Sequence, residues 1–271
     1  MPVAVRNGHR EWQRRATPRQ LAIWAGWLLF VALVVYCWRV MTADTLWAFV
    51  IDAPRQAADI GSRMLPPRWG YLDALWRPLW DTLNIATLGT LLAILVATPV
   101  ALLAARNTTP SVRFVRPVAL LVIVASRSIN SIIWALLLVS MLGPGVLAGI
   151  LAIALRSIGF VGKLLYEALE EIDPTQVEAI TATGAGRAQV IGWAMWPQVA
   201  PAFAGISVFR WDINIRESTV VGLVGAGGIG LQLEASINTL AWPQVSLILV
   251  VILATVVVAE WVSARVRHAI I

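Results

Sequence analysis

A glycine run near residue 225 is the most suggestive chemical motif in the sequence. Gly225, Gly227 and Gly230 follow the spacing G-x-G-x-x-G, which in dinucleotide-binding folds brings backbone amides against a pyrophosphate. That use requires a preceding strand and an acidic residue about 20 positions further along the chain. Val250 occupies that position within an apolar run, and no Lys-Ser or Lys-Thr pair follows the glycines. The sequence therefore does not predict nucleotide binding at this segment.

Charged side chains within apolar runs form the second group that could do chemistry. They are Arg127, Arg156, Arg210, Asp212, Arg216 and Glu217. Arginine outnumbers the acids, and a guanidinium fork pairs with two oxygens of an oxyanion. This excess predicts a polar path for an anion that carries phosphoryl oxygens. The alternatives are a structural salt bridge between Asp212 and Arg216, and arginines that snorkel or bond to backbone carbonyls.

Helical spacing places polar side chains beside these charges. Arg127, Ser131 and Trp134 would share one face of a helix at i, i+4 and i+7, and Asn214 would lie on a stripe with two of the charges. Each ionisable group within a span costs about 2.5–3.5 kcal/mol on insertion scales, so such groups face a cavity or a partner. The predicted substrate pathway comprises Arg127, Asn130, Arg210, Asp212, Asn214, Arg216 and Glu217.

Covalent chemistry has little support in the sequence. A membrane enzyme acting on a lipid phosphate would need a nucleophile or general base beside the arginines. The two histidines, His9 and His268, lie near the ends of the chain, and one cysteine, Cys37, cannot build a disulfide framework or a metal cluster. We predict a protein that is not an enzyme and that holds no cofactor or metal of its own.

The composition is that of an integral membrane protein. Apolar residues make up 59% of the 271 positions and charged residues only 13%, whereas soluble domains carry about 25% charge. The net charge of +6 comes mostly from arginines at the ends of apolar runs, where basic residues set orientation. We therefore expect contact with membrane lipid and no nucleic-acid partner.

The apolar runs predict about six transmembrane helices, since a bilayer core needs about 20 residues per helix. The predicted spans are residues 21–38, 83–105, 117–142, 146–165, 199–221 and 240–259. The chain then divides into a cytoplasmic segment 1–20, a first transmembrane helix 21–40, an external loop 41–78 with a short interfacial helix, a core of five spans 79–262 that includes a cytoplasmic loop 167–197, and a cytoplasmic tail 263–271.

Basic residues between the spans predict that both termini are cytoplasmic. Arg106, Arg113 and Arg116 follow the second span, and Arg265 and Arg267 follow the last. The loops after spans three and five contain no basic residue, as expected outside the membrane. The glycine run lies in the second of these loops. Its four glycines permit positive φ, and we predict non-helical backbone that lines a cavity, with a plain external turn as the alternative.

The cytoplasmic loop 167–197 has the pattern of two short helices. Asp173 can cap a helix that Pro174 begins, and Gly184 follows the end of that helix. A second helix is predicted over residues 188–195, and Pro197 opens the fifth span. Such a segment is suited to docking on a soluble partner, and an ordinary interfacial amphipathic helix is the alternative.

The same loop carries a spaced motif. It consists of Glu178, Ala179, Ile180, Gly184, Trp196 and Pro197. The motif resembles the one in permease subunits of ABC importers, where Glu-Ala-Ala, Gly and Leu-Pro occur at this spacing; Ile and Trp replace Ala and Leu here. By this resemblance, the loop is the coupling segment that inserts into a cleft on an ATPase subunit.

A narrower resemblance extends from about Thr82 to the end of the chain. The stretches SRSINSIIWALLLVSMLGPG and FRWDINIRES, and the closing Glu260, Arg265 and Arg267, are similar to phosphonate-type permeases. These relatives usually have proline where this chain has Asn130. The glycine run also occurs in methionine-type permeases, so it does not separate the two subfamilies.

The resemblance implies an all-α membrane protein with the type I ABC importer permease fold, in a prokaryotic plasma (inner) membrane. It implies a homodimer, two ATPase subunits that hold ATP and Mg²⁺, and an extracytoplasmic solute-binding protein. The solute would be a phosphonate, phosphite or phosphate, with methionine as the alternative. An external gate would be formed by Gly225, Gly227, Gly228 and Gly230. A passive channel is a further alternative, against which the coupling segment argues.

Overall fold

A computed structural model describes residues 3–6, 8–12 and 17–270 of the chain. Parts of the predicted cytoplasmic segment 1–20, and residue 271 of the tail, lie outside these ranges. The chain divides into two compact units, Met1–Asp59 and Ile60–Ile271. In the first unit, strands β1 (Val3–Arg6) and β2 (His9–Trp12) pair in an antiparallel hairpin. The sequence did not predict this hairpin within the otherwise helical chain.

Helix α1 (Thr17–Thr42) contains the first predicted span. Its most apolar window is not buried within the chain at all, as expected for a helix whose apolar side chains face lipid. Helix α2 (Trp47–Arg63) follows and contains no buried residue. It lies in the predicted external loop 41–78, and its position at the membrane interface stays a prediction.

The regular elements in the described part of the second unit are all helices. Its elements are a 3₁₀ turn (Trp69–Tyr71), α3 (Leu72–Ala104), α4 (Val115–Ser128), α5 (Ser131–Leu142), α6 (Val146–Glu170), α7 (Pro174–Ala182), α8 (Arg187–Val190), a π-helical turn (Ile191–Met195), α9 (Trp196–Val221), a second π-helical turn (Gly222–Ala226), α10 (Ile229–Asn238) and α11 (Trp242–Ile270).

Small residues let α3 and α6 approach each other at the centre of this unit. A Cβ atom at Gly89 of α3 would lie 2.9 Å from the Cγ2 atom of Ile153 in α6. Ile85 and Ile153 are both fully buried, and Val221 of α9 belongs to the same cluster. Close packing of small residues is the usual way in which membrane helices associate. The core therefore lies where α3, α6 and α9 meet.

Within the described residues, four helices are long and apolar enough to cross a membrane. Two bent pairs, α4 with α5 and α9 with α10, raise the number of spans to six if each pair counts as one. The prediction of about six spans is consistent with this arrangement. The cytoplasmic orientation of the termini stays a prediction.

The third predicted span, residues 117–142, is not one continuous helix. Helices α4 and α5 meet at an angle of 88°. Ile129 is extended, and the Asn130 side chain accepts a hydrogen bond of 3.2 Å from the backbone N–H of Ile132, which caps α5. An asparagine side chain competes for backbone groups in this way and begins a new helix. The predicted helical face that joined Arg127 to Ser131 therefore does not exist.

Other element boundaries also differ from the predicted ones. Helix α3 begins at Leu72 rather than Leu83, and α11 continues through Ile270, so the described part of the predicted tail 263–271 is helical. These helices extend beyond their most apolar stretches because hydropathy marks the hydrocarbon core and not the helix ends. The segment before α11 holds helix α10 as well as the glycine run.

Candidate functional site

A buried arginine on α9 is the centre of a polar network. Arg210 is only 2% exposed. Its Nε donates a hydrogen bond of 2.9 Å to the hydroxyl oxygen of Ser157 on α6, and its Nη2 lies 3.3 Å from Oε2 of Glu217. The guanidinium carbon also lies 5.1 Å from the centre of the Phe160 ring. Since the charge is paired and hydrogen-bonded, it meets the usual condition for burial.

Glu217 lies between two arginines. Its Oε1 atom is 3.6 Å from Nε of Arg156 on α6, while Oε2 faces Arg210. The side chains of Arg156 and Glu217 are 31% and 18% exposed, so this pair lies at the edge of the buried network. Two guanidinium groups and one carboxylate leave one positive charge in the triad.

Asn214 connects the triad to a third helix. Its Nδ2 atom donates hydrogen bonds of 2.7 Å to Thr90 Oγ1 on α3 and 3.1 Å to Ser157 Oγ on α6. All three side chains are buried. A fully satisfied network of this kind holds neighbouring elements in one arrangement. The sequence interpretation included Asn214 and missed Ser157 and Thr90, whose hydroxyls are common in membrane helices and carry no distinctive spacing.

Asp212 and Arg216 form the ion pair that their i, i+4 spacing predicts. Arg216 Nη2 lies 2.8 Å from Asp212 Oδ2. The Asp212 side chain is 6% exposed and that of Arg216 is 51% exposed. The Oδ1 atom of Asp212 is buried and has no hydrogen-bond partner among the described residues. This pair neutralises itself and stands apart from the triad.

The last two pathway candidates, Arg127 and Asn130, lie at the break between α4 and α5. Arg127 lies in the final turn of α4, is exposed, and makes no ion pair with the residues that the structure describes. Asn130 caps α5 and is exposed. The structure therefore joins Arg210, Asn214 and Glu217 in one network and leaves Arg127 and Asn130 outside it.

The glycine run is non-helical at its first three glycines. Gly225, Gly227 and Gly228 have φ values of +90°, +83° and +75°, which residues other than glycine rarely adopt. The backbone N–H of Ile229 donates a hydrogen bond of 2.8 Å to Thr82 Oγ1 on α3. Gly230 is helical and belongs to α10. The segment is largely buried, as non-helical backbone at membrane depth must be.

The loop 167–197, which is predicted to be cytoplasmic, has the predicted helix start. Asp173 Oδ1 accepts a hydrogen bond of 2.9 Å from the backbone N–H of Thr175, and Pro174 begins α7. These hydrogen bonds from Thr175 lower the pKa of the Asp173 carboxyl group. Gly184 follows the helix with a φ of +80°. The second predicted helix, residues 188–195, consists of the short α8 and a π-helical turn.

The motif residues of this loop are exposed, except for the half-buried Ile180. Glu178 and Ala179 lie on the outer side of α7, and Trp196 and Pro197 are also exposed at the start of α9. A groove of about 400 Å³ lies beside Ile180. The other residues that line it are Thr183, Gly184, Ala185, Gln189 and Trp193. Arg187 connects the loop to the segment after α3, because it donates hydrogen bonds to the backbone carbonyl oxygens of residues 108–109.

Residues 97–268 match the family of binding-protein-dependent transport system inner membrane components. Because the match covers more than half of the chain, the chain belongs to this family. It is an inner-membrane transport subunit, which confirms the predicted location and the prediction of a transporter subunit rather than an enzyme.

Among the described residues, no group of three His, Cys, Asp or Glu side chains is placed to hold a metal ion.

Several bacterial relatives are similar over much of their length. A phosphite transport system permease protein of Stutzerimonas stutzeri is 38% identical over 89% of this chain and 86% of its own length. A phosphate-import permease protein of Mycolicibacterium smegmatis is 38% identical over 88% of this chain and 44% of its own length. A putative cryptic phosphonate transport system permease protein of Escherichia coli is 41% identical over 43% of this chain and 96% of its own.

The fold is shared with solved ABC importer structures. A chain of the inward-facing MetNI methionine ABC transporter superposes with a TM-score of 0.66 over 75% of this chain and 99% of that chain, at 20% identity. This confirms the predicted type I ABC importer permease fold. At this level of identity the likeness concerns the fold alone.

Proposed function

We propose that this chain forms the translocation path of an ATP-driven importer for a phosphorus oxyanion: a phosphonate, phosphite or phosphate. The observation that carries the proposal is the positive triad of Arg156, Glu217 and Arg210, in which two guanidinium groups face one carboxylate. An aqueous path beside this triad attracts anions, and a guanidinium fork matches two phosphoryl oxygens.

The relatives support this solute class over methionine. Proteins that are 38–41% identical carry the names of phosphite, phosphate and phosphonate permeases, whereas the methionine transporter chain is 20% identical.

The partners follow from the family and from the exposed surfaces. A second copy of the chain would complete the path, and two ATPase subunits, which hold ATP and Mg²⁺, would dock at the exposed motif of Glu178 and Gly184. A solute-binding protein would deliver solute on the external side. There the bent glycine segment, Gly225, Gly227, Gly228 and Gly230, would act as a gate because the backbone at its first three glycines is not helical and the segment is largely buried.

Uptake of labelled 2-aminoethylphosphonate by cells with and without this gene tests the proposal. Unlabelled phosphite, phosphate and methionine serve as competitors, and depletion of cellular ATP separates active import from a passive channel. Gene-dependent, ATP-dependent uptake that only phosphorus oxyanions inhibit would support the proposal. Competition by methionine, or uptake that does not depend on the gene, would overturn the solute assignment.

A further inference from the structure

We propose that Arg156 is the arginine that binds the transported oxyanion, and that Glu217 and Arg210 position it. The proposal rests on the proposed function, because it assigns one residue of this chain to the phosphorus oxyanion. Neither the spacing of the charges nor their number in the sequence distinguishes Arg156 from the other arginines of the spans. Its surroundings do.

The depth of Arg156 is the first argument. It lies ten residues after the start of α6 at Val146, which corresponds to about 15 Å along a helix axis. A bilayer core is about 30 Å thick, so a span that begins at Val146, as predicted, would place Arg156 near its middle. A partly exposed charge at that depth must face water or another polypeptide, and Arg156 is 31% exposed.

The free atoms of Arg156 are the second argument. Its Nε faces Glu217 Oε1 at 3.6 Å. No hydrogen bond joins its two terminal nitrogens to a residue in the described part of the chain. Contact through Nε leaves the outer edge of a guanidinium group open, and that edge presents parallel N–H groups to two oxygens of one anion.

The other arginines are engaged differently. Arg210 is 2% exposed, and both its Nε and its Nη2 already have partners. Arg216 is neutralised by Asp212 at 2.8 Å. Arg127 packs its aliphatic chain against Gly159, which lies one helical turn beyond Arg156. Arg127 therefore adds positive charge beside the same stretch of α6. Arg156 differs because its guanidinium group is held in place by Glu217.

Glu217 acts as a positioning residue in this arrangement. Both of its oxygens are occupied, Oε1 by Arg156 and Oε2 by the buried Arg210. Arg210 is fixed in turn by Ser157. This chain of contacts anchors the Arg156 guanidinium to the packed core of α6 and α9. An anion can then bind without first ordering a flexible arginine, which lowers the entropic cost of binding.

Transport by chromosomal variants in the native host tests the assignment. The test variants are Arg156→Lys, Arg156→Gln, Glu217→Gln and the double variant Arg156→Gln/Glu217→Gln. The control is Arg39→Gln, which removes an exposed arginine at the end of α1. Uptake of labelled phosphite and of labelled 2-aminoethylphosphonate is measured in each strain. Immunoblots of membranes and co-purification of the ATPase measure assembly.

Arg156→Gln is expected to reduce uptake at least about tenfold, because it removes a charge-assisted pair of hydrogen bonds, while assembly is retained. Arg156→Lys should give an intermediate rate, since it keeps the charge without the fork. The double variant is decisive, because it removes the Glu217 charge that Arg156 could neutralise and returns the net charge of the three positions to +1, without restoring a fork. It should remain as slow as Arg156→Gln.

Wild-type uptake by the double variant would overturn the proposal, because Arg156 would then serve only to neutralise Glu217. Wild-type uptake by Arg156→Gln would also overturn it. If Arg156→Gln does not assemble, Arg156→Lys decides, and full uptake by that assembled variant excludes a role for the fork. A wild-type strain that takes up neither phosphorus compound would remove the proposed function itself, and the assignment with it.

Discussion

The backbone N–H of Gly159 donates a hydrogen bond of 2.8 Å to the hydroxyl oxygen of Ser126. The same hydroxyl donates to the carbonyl oxygen of Leu155. These contacts fasten α6 to the last turn of α4, directly before the break in the third span. A Cβ atom at Gly159 would lie 2.5 Å from the carbonyl oxygen of Ile123 and 2.6 Å from Cγ of Arg127. Only glycine permits this approach of the two helices.

Gly159→Ala is therefore expected to lower the free energy of unfolding by about 1–3 kcal/mol, the usual cost of overpacking. Gly205→Ala is the matched control, because Gly205 lies within α9 and a Cβ there meets no heavy atom within 4 Å. Thermal unfolding of the purified protein in detergent measures both effects. Equal changes in Tm for the two variants would contradict the close contact at Gly159.

Alanine substitutions of two fully buried serines are expected to have different effects on Tm. The Ser157 hydroxyl accepts a hydrogen bond from Arg210 and bonds to Asn214, whereas the Ser263 hydroxyl has no partner among the described residues. Ser157→Ala leaves a buried guanidinium N–H unsatisfied and should cost about 1–3 kcal/mol. Ser263→Ala removes an unpaired polar group and should leave Tm unchanged or raise it. A loss of Tm at Ser263 as large as that at Ser157 would refute this difference.

Alanine substitutions at two positions of the bent glycine segment should lower stability by different amounts. Alanine at Gly225 would meet its nearest atom, Val139 Cγ1, at 3.4 Å, and should cost mainly the left-handed conformation, about 1–2 kcal/mol. Alanine at Gly228 has a larger conformational cost, because its φ of +75° and ψ of −164° lie in a region that is essentially restricted to glycine. Its Cβ would also lie 2.5 Å from Thr82 Oγ1, which accepts the hydrogen bond from Ile229. Gly228→Ala should therefore lower uptake and Tm more than Gly225→Ala. The reverse order would contradict the contact with Thr82.

Local patterns in the sequence predicted the features that local physics determines. Uninterrupted apolar runs located the cores of α1, α3, α6 and α11, because burial in hydrocarbon depends on composition over about 20 residues. The start of α7 followed from Asp173 and Pro174, whose capping and φ preferences act within one turn. The positive φ angles of the glycine run followed from the same kind of local preference.

Features that depend on contacts between distant residues could not be predicted in this way. Hydropathy continues across Asn130, so the 88° bend left no trace in the apolar pattern. The partner of Glu217 on α6 could not be found from helical spacing, because spacing reports only neighbours within one helix. For the same reason, the sequence placed Arg210 and Arg127 together as pathway residues, although one is buried and the other exposed.

The cap of α7 is expected to depend on pH. Hydrogen bonds from Thr175 hold the pKa of Asp173 below its ordinary value of 3.8. A lowered pKa in the folded state means that the carboxylate stabilises the helix at pH values above that ordinary value. The stabilisation is lost as the pH falls through the lowered pKa.

Hydrogen exchange of residues 174–182, corrected for the intrinsic rate, measures this effect. At neutral pH, Asp173→Ala should exchange faster than wild type, while Asp173→Asn keeps an acceptor and should remain protected. On acidification below the pKa, wild-type protection should fall toward that of the alanine variant, and the asparagine variant should not change. A parallel fall in the asparagine variant would show that acid acts elsewhere in the loop.

Charge reversal at Glu178 tests the coupling segment. Glu178 is exposed on α7 and makes no hydrogen bond or ion pair with the described residues, so Glu178→Lys should not disturb the fold. If this carboxylate docks on the ATPase, the variant should reach the membrane in normal amounts, lose co-purification of the ATPase, and show only background uptake. Glu171→Lys makes the same charge change at an exposed position just before α7 and should retain uptake. Normal uptake by Glu178→Lys, or equal losses in both variants, would remove Glu178 from the docking surface.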